Sequence, residues 1–373
     1  MAYLGLTATG LILLVWYYIV LGQAERPKAG TLEWIDRYER PGFTLDSCGK
    51  ELCRKDALWA SGLAFLSVVV SLLLSAGSAY DGSLGLLLRF KCGGPMLYLS
   101  AEMLCAAIAA AAAYLLGKAL TGSVFAALAG AVLFAVRPTD ALFSCLLLCG
   151  LLCLWLWAGY PRRGFANWAL LLAGALLSGA AAFSFYLCAV TLAFLITLAV
   201  VLCYRVRNEV FGGWYALLLF AAACVLAAVG FLAGAALHGK VSPFSAKFLP
   251  GVGAALIARW KLLYAALCTA EIGARLPAVL LLSGLVPLVT LFRSRRTGDA
   301  LFLLLWALPI ALQYALIPNV FPSASAALVC AYLTGRLLER GHPAAARLGA
   351  IGAIAVVALQ GILWEVFSPA FYF

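Results

Sequence analysis

Charge is what this chain has least of. Asp, Glu, Lys and Arg make up 11% of its 373 residues, against roughly 25% in an ordinary soluble domain. Hydrophobic residues make up 65%, and the mean hydropathy is +1.04. A chain so poor in polar groups cannot cover a folded surface in water. That excludes a soluble enzyme, a disordered chain and a nucleic-acid module with an open basic face. Histidine is nearly missing: His238 and His342 are far apart in sequence, so no zinc site is expected. Also absent are a Walker-type phosphate loop, a histidine pair at metal-ligand spacing and a lipase-type Gly-x-Ser-x-Gly elbow. The two halves share no visible repeat, which argues against a transporter built from inverted repeats.

What the chain does have is a succession of apolar runs. On the template of about 20 apolar residues per crossing, twelve segments stand out: 3–22, 57–78, 95–116, 122–136, 141–159, 167–184, 187–204, 214–236, 278–292, 300–317, 323–336 and 346–365. None alternates as a strand would, so the expected class is all-α, a polytopic integral membrane protein of about 12 helices. Segment 1–22 reads as an N-terminal anchor, 23–56 as a polar cytoplasmic linker, and 57–373 as a helical membrane domain. The domain's outer-face segments are 79–94 and 237–277. Within the second, 254–275 reads as an interfacial helix bearing Arg259, Lys261, Glu271 and Arg275.

The net charge of +11 reports topology, because nearly all of the 26 Lys and Arg sit in short connectors. Placing Arg162-Arg163, Arg205/Arg207, Arg293/Arg295/Arg296 and Arg336/Arg340/Arg347 in the cytoplasm puts 18 basic residues inside and 8 outside. The location expected is therefore a multi-pass cell membrane protein in contact with membrane lipids, with no nucleic-acid partner. Ten of the 12 cysteines lie in or beside apolar runs. Cys145, Cys149 and Cys153 form an i, i+4, i+8 stripe of small packing residues, with no His or carboxylate expected beside it.

A charge inside a membrane helix is costly and normally faces a cavity or a partner. Glu102 is the exception to the charge-free helix centres, about two turns into the third segment. Asp81 follows the second segment, and Arg137-Pro138-Thr139-Asp140 joins the fourth to the fifth. Asp81, Asp140 and Glu102 thus fall at one face, as candidate general-base or orienting groups beside a membrane-embedded substrate. Each also has a plain reading: Asp140 as a helix N-cap, Asp81-Gly82 as a turn, Glu102 as a snorkelling acid or a partner of Arg89. Arg137, Arg89, Lys240, Lys247, Arg259 and Lys261 are candidate phosphate-binding residues, or else anchors to anionic headgroups.

The order of features is familiar. Arg54-Lys55-Asp56-Ala57-Leu58 precedes a helix, and an outer loop with Asp81 follows. The next helix ends Ala113-Tyr114-Leu115-Leu116-Gly117-Lys118-Ala119-Leu120-Thr121-Gly122, before a short Ala-rich helix. Then come Arg137-Pro138-Thr139-Asp140-Ala141-Leu142 and a Leu-rich helix closing on Tyr160-Pro161-Arg162-Arg163. Over roughly residues 50–205 this resembles the N-terminal half of GT-C fold membrane glycosyltransferases, the ArnT-like and protein-mannosyltransferase-like group. The resemblance implies a polyprenyl-phosphate sugar donor, a lipid-linked, glycan or protein acceptor, and an inverting transfer on the outer face. It casts Asp81 as the base, with Asp140 or Glu102 as orienting acid. No cofactor is implied, and a divalent metal is left open. In this chain Asp81 is followed by Gly82 where the family often has Glu, and the first outer loop is shorter. A degenerate, noncatalytic subunit or a lipid or solute transporter are the competing expectations.

Overall fold

The computed structural model describes residues 54–75, 95–136, 138, 141–159, 165–184, 188–207, 212–237, 323–339 and 341–367. Among these the chain is nearly all helical and contains no strand. The helices are α1 (Arg54–Ser75), α2 (Pro95–Thr121), α3 (Val124–Val136), α4 (Ala141–Gly159), α5 (Phe165–Ser184), α6 (Cys188–Arg207), α7 (Gly213–Leu237), α8 (Ser323–Glu339) and α9 (Pro343–Phe367). They occupy nine of the twelve apolar segments; 3–22, 278–292 and 300–317 lie outside the described residues. Three stretches, Lys55–Leu72, Ser100–Thr121 and Gly213–Ala233, are long and apolar enough to cross a membrane.

Two of the turns owe their shape to glycine. Gly122 has φ of 70° and donates its N–H to the Lys118 carbonyl at 2.7 Å, closing α2. Ser123 then caps α3, its Oγ accepting from the Ala126 N–H at 3.4 Å. Gly341 has φ of 77° and ends α8, with His342 N–H bonded to the Leu337 carbonyl at 3.1 Å. In each case only a residue without Cβ reaches the left-handed region cheaply. Pro343 then opens α9, where a missing N–H costs nothing.

Side-chain contacts fix the direction of each helix. Lys118 near the end of α2 meets Asp56 at the start of α1, so those two are antiparallel. Trp155 near the end of α4 donates to the Ala119 carbonyl at 3.1 Å, which sets α4 parallel to α2. Trp168 and Tyr215 stack edge-on with ring centroids 5.5 Å apart, which sets α7 parallel to α5. The bundle therefore runs up and down, with odd-numbered helices in one sense and even-numbered helices in the other.

Its innermost layer is α3 against α8. At ~1.5 Å per residue the 13 residues of α3 reach only about 20 Å, and most of them are buried. Every residue of α8 from Ser323 to Leu337 is buried too. The two approach so closely because Gly130 faces Ala327 and Ala331; a Cβ on Gly130 would lie 2.5 Å from the Ala327 carbonyl oxygen. On the flank, Gly179 and Gly230 let α5 and α7 meet backbone to backbone, at Ala227 and Leu176. By contrast the outer faces of α1 and α7 are apolar and open: Leu58 is 75% exposed, Phe65 70% and Trp214 86%.

Candidate functional site

The two ends of the bundle differ in charge. The Lys and Arg residues of the described helices are Arg54, Lys55, Lys118, Arg205, Arg207, Arg336 and Arg347, and all lie within two turns of one end. The other end carries Glu102 and Glu365 and no base among the described residues.

At the basic end the structure assembles a group that the sequence reading does not single out. Asp56 belongs to the first turn of α1 and Lys118 to the last turn of α2, each placed to suit its own helix dipole. Antiparallel packing then brings them together. The Lys118 Nζ donates to both Asp56 carboxylate oxygens at 2.8 Å. Tyr114, four residues before Lys118 and so on the same helix face, donates its hydroxyl to Asp56 Oδ1 at 2.8 Å. Asp56 is 2% exposed, Lys118 6% and Tyr114 0%. A buried pair of this kind holds only when hydrogen bonds satisfy both charges, as they do here. With no access from outside, the group ties α1 to α2 and offers no surface for a reactant. Nearby, Arg336 is also buried; it pairs with Glu339 at 3.2 Å and lies 5.7 Å over the Tyr332 ring.

Sequence had placed Lys118 in a connector and Asp56 in a basic flank. α1 begins at Arg54, before the apolar run expected from 57, and α2 runs on to Thr121, past its expected end at 116. The usable signal was Tyr114 and Lys118 at i, i+4, matched by a single acid in the first turn of the preceding helix.

At the other end, Glu102 lies half-buried on α2, two turns from Pro95. No hydrogen bond or ion pair to it occurs among the described residues. One turn further along α2 stands Cys105, and the packed neighbour α4 carries Cys145, Cys149 and Cys153 as free thiols. Among the described residues no group of three His, Cys, Asp or Glu side chains is arranged to hold a metal.

Of the candidate catalytic and phosphate-binding residues, Glu102 alone is described. Asp81, Asp140, Arg89, Arg137, Lys240, Lys247, Arg259 and Lys261 lie outside the described residues. The helix ends that flank them are in view. α1 ends and α2 begins at the Glu102 end, as α3 ends and α4 begins there. The chain matches no family model, no curated protein and no solved structure.

Proposed function

We propose that the chain is a multi-pass membrane glycosyltransferase with a GT-C-like arrangement. It would move a sugar from a polyprenyl-phosphate donor to a lipid-linked, glycan or protein acceptor at the Glu102 end of the bundle. The observation that supports this most is the separation of charge. Seven basic residues gather at one end, as the cytoplasmic end of a membrane bundle requires, and a carboxylate without a described partner sits within an apolar helix at the other. An acid kept inside such a helix normally serves a cavity or a reaction. The open apolar faces of α1 and α7 fit contact with lipid.

In this reading one acid, Asp81, takes the proton from the acceptor hydroxyl. Glu102 or Asp140 orients acceptor or sugar through hydrogen bonds. Positive side chains among Arg89, Arg137, Lys240, Lys247, Arg259 and Lys261 offset the charge that develops on the departing phosphate. Direct attack by the hydroxyl breaks the bond between sugar and phosphate and inverts the anomeric centre.

The test is transfer of radiolabelled sugar from a panel of polyprenyl-phosphate donors by protein reconstituted in liposomes, with an acceptor mixture supplied. The expected result is loss of label from the lipid that Asp81→Asn abolishes, since acid–base assistance is worth about 10²–10⁴-fold, and that Glu102→Gln lowers. Turnover untouched by both substitutions overturns the assignment of these acids. Absence of turnover with every donor, from protein shown to be folded, overturns the enzyme in favour of a noncatalytic membrane subunit or a transporter.

A further inference from the structure

The short helix α3 is enclosed on all sides but one. Its Ala127 meets Gly117 of α2, its Gly130 meets α8, and its Ala129 and Leu133 pack against Ala350 and Val357 of α9. α1 covers a further part of it. Phe125, Leu128 and Val132 escape full burial, and Phe125 is 38% exposed. Their i, i+3, i+7 spacing puts them in a single apolar stripe along the helix. α1 and α9 both pack on α3, and neither packs on the other to a comparable extent. The stripe is therefore the floor of an outward-facing groove with α1 and α9 as its walls.

Both walls carry a base at the same end. Lys55 is exposed at the start of α1, and Arg347 is exposed in the first turns of α9. On α1 the buried residues Asp56, Ala60, Leu63 and Ser67 fix the packed face. The right-handed turn of the helix then sets Lys55 and Trp59, an i, i+4 pair, beside that face on the groove side. On α9 the packed face is Ala346, Ala350 and Val357, which sets Arg347 and Ile351 on the groove side by the same reasoning. Ile351 is 62% exposed and Trp59 50%, so both walls are open. No acid competes for the two bases among the described residues: Asp56 is enclosed with Lys118, and Glu339 pairs with Arg336.

We propose that this groove binds one anionic phospholipid, its phosphate between Lys55 and Arg347 and an acyl chain along Phe125, Leu128 and Val132. The division of the groove into a basic mouth and an apolar floor matches the two parts of such a lipid. An indole beside the mouth suits the headgroup level, where Trp gathers. Each base adds attraction for an anionic lipid surface, and the apolar floor leaves water when a chain covers it. The inference rests on the membrane setting of the bundle and not on the transferase chemistry.

The experiment titrates the full-length protein in non-ionic detergent with phosphatidylglycerol or phosphatidylcholine and reads bound lipid by native mass spectrometry. The expected result is one phosphatidylglycerol kept per chain under activation that strips phosphatidylcholine. Lys55→Gln and Arg347→Gln should each weaken retention about 5-fold, the scale of one base at an anionic lipid surface. Val132→Trp keeps both charges but fills the floor, and should weaken retention as well. Arg205→Gln removes the same charge from α6, which packs chiefly on α5 and α7, and should change nothing. The melting temperature of each variant without lipid reports that it is folded. Equal retention of the two lipids overturns the site, as does an Arg205→Gln loss equal to that of Arg347→Gln. Thermal stabilisation by inorganic phosphate at the concentration that phosphatidylglycerol requires overturns it in favour of a plain anion site. A wild-type dimer that Val132→Trp dissociates overturns it in favour of a second copy of this chain. None of these readouts depends on sugar transfer, so an inactive protein still decides the matter.

Discussion

At the basic end of the bundle every buried charge has an answer; at the other end one carboxylate has none in view. Asp56 meets Lys118 and Tyr114, and Arg336 meets Glu339 and Tyr332. Glu102 has no hydrogen-bond or ion-pair partner among the described residues. The difference separates two uses of charge in an apolar protein. A pair neutralised on the spot spends its electrostatics on holding helices together. An acid without a partner among the described residues adds no such tie between the described helices.

That contrast is sharpest when one partner of the buried pair is removed. Lys118→Met leaves Asp56 charged and enclosed, and the expected loss of stability is about 3–5 kcal/mol. The double variant Asp56→Leu/Lys118→Met removes both charges and should recover most of it; thermal unfolding in detergent reads both. If the double variant is as unstable as the single one, the pair is not what joins α1 to α2.

Tyr114→Phe is the next step down. It deletes one hydrogen bond to a charged acceptor and should cost about 1.5–3 kcal/mol, with the Lys118 contact preserved. A similar loss follows from crowding the inner layer. Gly130→Ala forces a Cβ to 2.5 Å from the Ala327 carbonyl oxygen, an overpacking worth about 1–3 kcal/mol. The control is Gly62→Ala, where nothing lies within 4 Å and the helix should gain up to about 1 kcal/mol.

The smallest stability effect belongs to the opposite end. Glu102→Gln should change unfolding by no more than about 0.5 kcal/mol, while the transfer assay falls. A loss as large as that of Lys118→Met would mean that Glu102 has a structural partner, and the contrast between the ends would collapse.

Much of the architecture was readable beforehand for a simple physical reason. Uninterrupted apolar runs such as 141–159 permit little besides a helix, and the observed α4 has those bounds. Near Phe183-Ser184-Phe185, where hydropathy leaves the division of 167–204 open, α5 ends at Ser184 and α6 starts at Cys188. What hydropathy could not reveal is which charges leave solvent. Lys118 and Asp56 look like ordinary flanking residues until helix pairing is known, because burial is decided by the neighbour and not by the residue. Glu102 was legible because its position within an apolar run is itself anomalous. The other candidate acids fall in segments outside the described residues, so their arrangement rests on sequence order.

The enclosure of α8 has a consequence for how the chain is made. α3 and α8 are packed face to face, yet about 190 residues separate Val136 from Ser323. At roughly 5–20 residues per second of synthesis, the surface around Gly130 waits about 10–40 s for its partner to leave the ribosome. Through that interval the apolar face of α3 lacks the cover that α8 gives it in the finished fold. This layer of the bundle therefore closes only after α8 has been made, long after α3.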